Sequence, residues 1–148
     1  MGKKKVVDAR FAKSKEYRAV INQIADEAKC PFCPDNFRYH KKPILKRLGG
    51  WFITPSTWPY KNSKHHFLII GKSHKEKLTE LTQTDWKSIT TLASFVIKKY
   101  KLAGGAIAMR FGETAYTGAT VCHLHMHLIV PEIKSGKRIA KTVTFPIG

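Results

Sequence analysis

His123-Leu124-His125-Met126-His127 places three imidazoles at alternating positions, and the apolar run Leu128-Ile129-Val130 follows directly. Side chains of an extended strand alternate between its faces. The spacing therefore predicts three imidazoles on one face and Leu124, Met126 and Leu128 on the other. Imidazole can act near neutral pH as nucleophile, proton donor or acceptor, or metal ligand. The chain has 7 histidines, so chance alternation and structural burial are the competing explanations. Three polar rings beside an apolar run make a poor plain core strand, which favours a reactive role.

A second group is Cys30-Pro31-Phe32-Cys33. Two thiolates at this spacing reach one metal ion from a tight turn. A tetrahedral site needs two more ligands, and no second Cys-x-x-Cys is present, so histidines must supply them. His40, His65, His66, His74 and the triad are all candidates. His74 and His123 could meet beside the cysteine turn if the strands that precede them are neighbours. The prolines favour a metal knuckle over a redox dithiol, and no thioredoxin-like βαβ pattern surrounds them. With Cys122 the cysteine count is 3, which does not read as a disulfide framework.

The third group is the stretch from Gly112 to Thr120, whose small residues, hydroxyls and accessible amides suit an anion cradle next to the histidines. There is no Gly-x-Ser-x-Gly, no Walker loop and no carboxylate cluster. That disfavours serine hydrolysis, P-loop chemistry and two-metal catalysis. The remaining nucleophile is imidazole. His125, flanked on both sides, attacks phosphorus without first losing a proton, and one neighbour can protonate the leaving group.

These groups need elements to position them. Ser14 to Lys29 has helical periodicity through Tyr17, Val20, Ile21 and Ile24, with Ser14 as N-cap. Ile44–Leu48 and Trp51–Thr54 flank Gly49-Gly50, a hairpin signal. His66–Ile70 reads as a strand, followed by a helix from Thr82 to Lys101. Thr82 and Asp85 form its capping box, and Trp86, Ile89, Ala93, Val96, Ile97 and Tyr100 form its apolar stripe. Ala106–Phe111 and Val121–Val130 read as strands, and Lys141–Phe145 as a weaker one. The pattern predicts an α+β fold: a mainly antiparallel sheet of about five strands, with the long helix and the N-terminal helix packed on one face. One domain over 1–148 is expected, with a basic N-terminal tail at 1–13 and a basic C-terminal segment at 132–148.

The chain carries 27 lysines and arginines against 10 acids, a formal charge of +17. That favours association with polyanions: nucleic acid, nucleotides, phosphates or an anionic surface. No apolar run approaches a bilayer span and no apolar core follows the basic N-terminus. No membrane partner is expected, and a cytoplasmic location is the default.

Together these residues resemble the histidine-triad (HIT) superfamily. His123 to Ile129 is similar to its His-x-His-x-His signature, and His65 to His74 to its histidine strand. Cys30 to Asn36 is similar to the zinc knuckle of the galactose-1-phosphate uridylyltransferase-like branch. Pro59-Tyr60-Lys61-Asn62 resembles a segment of that branch and of diadenosine polyphosphate phosphorylase-like members. The resemblance implies a HIT-like fold and an enzyme, a nucleotide hydrolase or nucleotidyltransferase. It would cleave a nucleoside phosphoanhydride or phosphoramidate through a nucleotidyl-histidine intermediate. His125 would be the nucleophile, with His127 and His66 beside the phosphates. Cys30, Cys33, His74 and His123 would hold structural Zn2+, and Asn62, Gly118 and Thr120 would contact substrate. A homodimer is also implied. The third position, often glutamine in the transferase branch, is His127 here, which points to hydrolase or phosphorylase chemistry. The alternatives are aprataxin-like processing of adenylated nucleic acid ends, and a non-catalytic, basic, zinc-stabilised nucleic-acid-binding module.

Overall fold

The computed structural model describes residues 5–148. Met1 to Lys4 of the expected basic segment lie outside the described residues. Ser14 caps α1 (Lys15–Glu27) through its side chain, which accepts from the Tyr17 amide, and Ala28 ends the helix in the left-handed conformation at φ 55°. Strands β1 (Lys46–Leu48) and β2 (Trp51–Pro55) form the expected hairpin. Its two turn residues, Gly49 and Gly50, have φ of 54° and 79°. Two successive positive φ values suit a two-residue hairpin turn and favour glycine at both places. At Gly49 space is also short, because a Cβ would sit 2.2 Å from the Ser88 hydroxyl.

The remaining elements are β3 (Ser63–Gly71), α2 (Gln83–Lys99), β4 (Ala106–Met109), the short α3 (Thr114–Thr117) and β5 (His125–Pro131). The five strands form one sheet in the order β1-β2-β3-β5-β4, and every neighbouring pair is antiparallel. This is the α+β architecture expected from the sequence. Helix α2 lies over one face. It carries the reciprocal Thr82–Asp85 capping box, and Asp85 also accepts from the Trp51 indole at 2.9 Å.

The alternation of β3 and β5 sorts their residues. Phe67, Ile69, Met126 and Leu128 face α2 and pack with Ile53, Ile89, Leu92 and Val96. Complete burial of such aliphatic side chains contributes about 1.5–3 kcal/mol each. The α2 stripe is rotated from the expected one. Leu92 and Ser88 are buried, whereas Trp86, Ile97 and Tyr100 are partly exposed. Nor does α1 lie beside α2. Its Ile21 and Ile24 pack with Val6, Val7, Cys30 and Val121.

Three further expectations are corrected. The histidine strand begins at His125, not Val121; His123 occupies a bend before it, and Val121 pairs with Val7 in an isolated bridge. The described part of the expected 1–13 tail is not free, since Val6, Val7 and Asp8 are buried. No strand forms over 141–145. Instead the chain turns back through an Ile133–Ala140 bridge and crosses the histidine face. Among the described residues no helix is long and apolar enough to cross a membrane.

Candidate active site

The face of the sheet opposite α2 carries a cleft of about 570 Å³ lined by His66, His125 and His127. That volume lies within the roughly 300–1,000 Å³ common for small-molecule sites. β3 and β5 bring the three rings together, because Leu68 pairs with His127 and Ile70 with His125. His125 and His127 are two residues apart on one face, with ring centroids 4.9 Å apart.

Hydrogen bonds set the tautomer of each ring. His125 Nδ1–H donates to its neighbour's carbonyl, His123 O, at 2.7 Å. That leaves Nε2 with its lone pair in the cleft. The Tyr60 amide donates to His66 Nδ1 at 3.1 Å, so His66 carries its proton on Nε2 and donates to His127 Nδ1 at 2.8 Å. His127 in turn carries its proton on Nε2, and that buried atom has no partner among the described residues. The site thus presents one imidazole as an acceptor and the next as a donor. Burial pushes His125 down to about 4, with Arg110 repulsion adding to this and the bond to His123 opposing it. His66 falls to about 4 for the same first reason, burial. His127 is driven well below its ordinary value, by burial first.

Beyond the strand end the metal-type residues converge. The ligand atoms of Cys30, Cys33, His74 and His123 all lie within 4.8 Å of one another. The sulfur–nitrogen contacts are 3.3 Å for Cys30–His123, 3.4 Å for Cys33–His74 and 3.7 Å for Cys33–His123. A tetrahedron with Zn–S near 2.3 Å and Zn–N near 2.0–2.1 Å has edges of roughly 3.3–3.8 Å, so the donor set fits zinc. His123 Nε2–H donates to Gly71 O at 2.6 Å, which turns Nδ1 toward the thiols, as an outer-shell bond to a metal-binding histidine does. All four ligands are protein groups, so the zinc is structural. His40, one of the alternative ligands, is elsewhere, bonded to Thr54 and Thr57. His65 lies on the α2 face beside Phe67 and Tyr100.

The family model described as HIT domain matches residues 61–133. Over these residues the chain matches a HIT domain. A histidine triad nucleotide-binding protein from Candida albicans is similar in fold, with 21% identity and a TM-score of 0.57 over 77% of this chain and 86% of that one. A Zn-bound histidine triad family protein from Mycobacterium smegmatis has 20% identity and a TM-score of 0.55, over 76% of this chain and 80% of that one. A HIT family hydrolase from Clostridium thermocellum has 24% identity and a TM-score of 0.54, over 75% of this chain and 96% of that one. At these identities the likeness is one of fold. No curated protein matches.

The expected substrate contacts fare differently around the HIT cleft. Thr120 lines it, its hydroxyl 2.6 Å from that of Tyr17. Gly118 lines it as the left-handed cap of α3, with φ 67°. Asn62 sits at the rim, but its side-chain amide donates to Thr142 O at 2.9 Å, so it ties the C-terminal segment to the domain.

Several cleft residues were not read as such from the sequence. Tyr17 and Trp58 stack at 5.2 Å, so α1 builds one wall. Phe32, the inner residue of the cysteine knuckle, meets His125 edge-on at 5.0 Å. Lys13 and Arg110 also face the cleft. The Pro-Phe pair within the knuckle was the one available signal for Phe32. Nothing local in the sequence marks Lys13 or Arg110.

Proposed function

We propose that this chain is a HIT-type nucleotide hydrolase or nucleotidyltransferase in which His125 is the nucleophile. The observation that carries this reading is the fixed tautomer of His125: Nδ1 is spent on a backbone carbonyl and Nε2 faces the cleft. His125 Nε2 attacks the α-phosphorus of a nucleoside phosphoanhydride or phosphoramidate. An N–P bond forms as the bond to the leaving group breaks, and His127 Nε2 gives the departing atom its proton. His127 then takes a proton from a water, whose oxygen attacks phosphorus. The products are the nucleoside monophosphate and free imidazole. Phosphate in place of water would give phosphorolysis. The chemistry is displacement at phosphorus held in place by positioned charge and donors.

His66 holds the tautomer of His127. Thr120 and Gly118, which line the cleft, would contact a phosphate through their own atoms, since the amides of Gly112, Tyr116, Thr117, Gly118 and Ala119 are spent inside the fold. Cys30, Cys33, His74 and His123 would hold the zinc, which keeps the knuckle and the lead-in to β5 in place. The +17 charge favours a second reading in which the nucleotide is an adenylated nucleic acid end. A steep fall of oligonucleotide affinity with salt would support that reading. The exposed Ile107 of edge strand β4 and Phe111 beyond it suit the implied homodimer, which sedimentation would test.

The decisive experiment mixes the protein with a panel of dinucleoside polyphosphates, nucleoside phosphoramidates, nucleotide sugars and adenylated DNA, followed by quench and mass spectrometry. A nucleotidyl adduct on His125, and its loss together with turnover in a folded His125→Ala variant, is the expected result. Near-wild-type turnover by that variant on every substrate turned over refutes the assignment.

A further inference from the structure

The triad cleft contains charge that the reaction above does not use. Lys13, Lys61 and Arg110 face it, and among the described residues no aspartate or glutamate lines it. Among the described residues neither Lys13 nor Arg110 is ion-paired with a carboxylate. Both lie one aromatic ring away from His127. Lys13 Nζ is 3.6 Å from the centre of the Tyr60 ring, and that ring stacks on His127 at 5.6 Å. Arg110 Cζ lies 3.8 Å over the Phe145 ring, which meets His127 edge-on at 5.1 Å. Arg110 Nη1 also reaches the Tyr60 hydroxyl at 3.2 Å.

The partner of the Arg110 guanidinium is telling. Its Nε and Nη2 converge on one neutral acceptor, Pro146 O, at 3.0 and 2.5 Å. That edge of a guanidinium is a fork suited to two oxygens of a phosphate or carboxylate. A single backbone carbonyl fills the geometry and leaves the charge uncompensated. In the same cleft His127 Nε2 is a buried donor without a partner.

We propose that Lys13 and Arg110 form a second anion subsite beside the reacting one. It holds the phosphates next to the attacked phosphorus, with a phosphate oxygen taking the place of the Pro146 carbonyl on the guanidinium. The ligand class is then a nucleoside oligophosphate chain. The proposal rests on the nucleotide reading of the His125 site and narrows it from phosphoramidates to phosphoanhydrides. Lys13 precedes α1 and lies outside the residues that match the HIT domain, 61–133, so half of the subsite comes from a segment N-terminal to that match. Burial and Arg110 repulsion push the Lys13 ammonium down to about 8, a cost that a bound polyanion would offset.

Calorimetric binding of inorganic orthophosphate, pyrophosphate and tripolyphosphate tests the subsite without turnover. Affinity should rise in that order. Arg110→Gln and Lys13→Gln should each weaken tripolyphosphate about tenfold and leave orthophosphate within about twofold, and Arg110→Lys should recover part of the loss. Lys99→Gln, which removes the same charge from exposed α2, should have no effect. Equal affinity for the three anions overturns the proposal. So does tripolyphosphate binding that ignores Lys13→Gln, or that weakens as much in Lys99→Gln. Lys13 lies outside the packed core with its ammonium partly covered in the cleft, so its variant keeps the test valid should Arg110→Gln not fold, which a melting curve shows. His125→Ala should bind tripolyphosphate like the parent. Selective tripolyphosphate binding by the parent protein, with no nucleotidyl adduct from any substrate of the panel, would therefore sink the reaction and leave the subsite standing. An adduct on His125 with no selective tripolyphosphate binding would do the reverse.

Discussion

His66 Nε2 lies 2.8 Å from His127 Nδ1, and His66 itself accepts the Tyr60 amide on its other nitrogen. The chain of donors runs in one direction, from backbone through His66 to His127, and ends on the buried His127 Nε2–H, which has no partner among the described residues. His66 is thus a positioning residue for the proton donor. Its removal should slow the reaction where the leaving group needs a proton and spare it where it does not. His66→Ala is expected to lower kcat about 10²-fold for a substrate with a poor leaving group. A nitrophenolate-type leaving group should change much less, with KM near the parent value. His66→Gln, which can still donate an amide N–H, should recover part of the loss. Equal slowing of both substrates would show that His66 only supports the fold.

The knuckle couples stability to the site by a different route. Cys30 and Cys33 hold Phe32 between them, and Phe32 meets both His123 and His125 edge-on, at 6.0 and 5.0 Å. Loss of a metal ligand should release this turn and the bend at His123 together. Cys33→Ser, or strong chelation, is expected to lower Tm by on the order of 10 °C, with loss of bound zinc measured by atomic emission. Surviving folded protein should retain more of its turnover than of its thermal margin. An unchanged melt with complete metal loss would show that the cluster does not hold the fold.

Asp8 fastens the N-terminal segment to the 112–120 loop. Its carboxylate accepts from Arg10 Nη2 at 2.8 Å, Lys5 Nζ at 2.5 Å and the Thr114 hydroxyl at 2.7 Å. Its amide donates to Thr120 O at 2.8 Å. The Arg10 guanidinium, opposed by burial and aided by Lys5 and Thr114, holds the carboxyl well below the usual carboxylate range. A folded value below the unfolded one means stability that is present above pH about 4 and is lost as pH falls further. Asp8→Asn should therefore cost about 1–3 kcal/mol at neutral pH, several degrees of Tm. It should also flatten the acid limb of the stability curve. A variant whose acid limb matches the parent's would remove this carboxylate from the account.

Much of this was legible before any coordinates. Alternation placed His125 and His127 on one face, Gly49-Gly50 gave the hairpin, and Thr82 with Asp85 gave the start of α2, because each is a local pattern with a local cause. Fold and zinc donor set followed from the Cys30–Cys33 spacing and the resemblance. Alternation failed at His123, which leaves the strand to reach the thiols, so its position is set by the metal cluster and not by the sheet. The buried stripe of α2 differs from the expected one because the hairpin tip meets the helix at Ser88, a contact between distant segments. Lys13, Arg110 and Phe145 belong to three separate segments that meet only when the C-terminal segment crosses the histidine face. Their basic and polar surroundings read as solvated surface.

The Lys13 ammonium separates binding from folding by the sign of its pH dependence. Its pKa is lowered from 10.5 to about 8, by burial first and by Arg110 second. Between those values the unfolded chain holds the proton more firmly than the folded one. This group's contribution to stability therefore rises as pH climbs from about 8 to 10.5. Anion binding runs the other way, because the neutral amine attracts no phosphate. Tripolyphosphate affinity should fall as pH passes about 8, with the midpoint displaced upward once the anion is bound, and Lys13→Gln should lose this segment of the profile. Chemical denaturation across the same range should show the parent gaining stability relative to Lys13→Gln. Affinity that holds level from pH 7 to 10, or a parent–variant stability difference without slope over that range, would remove Lys13 from the cleft's charge balance.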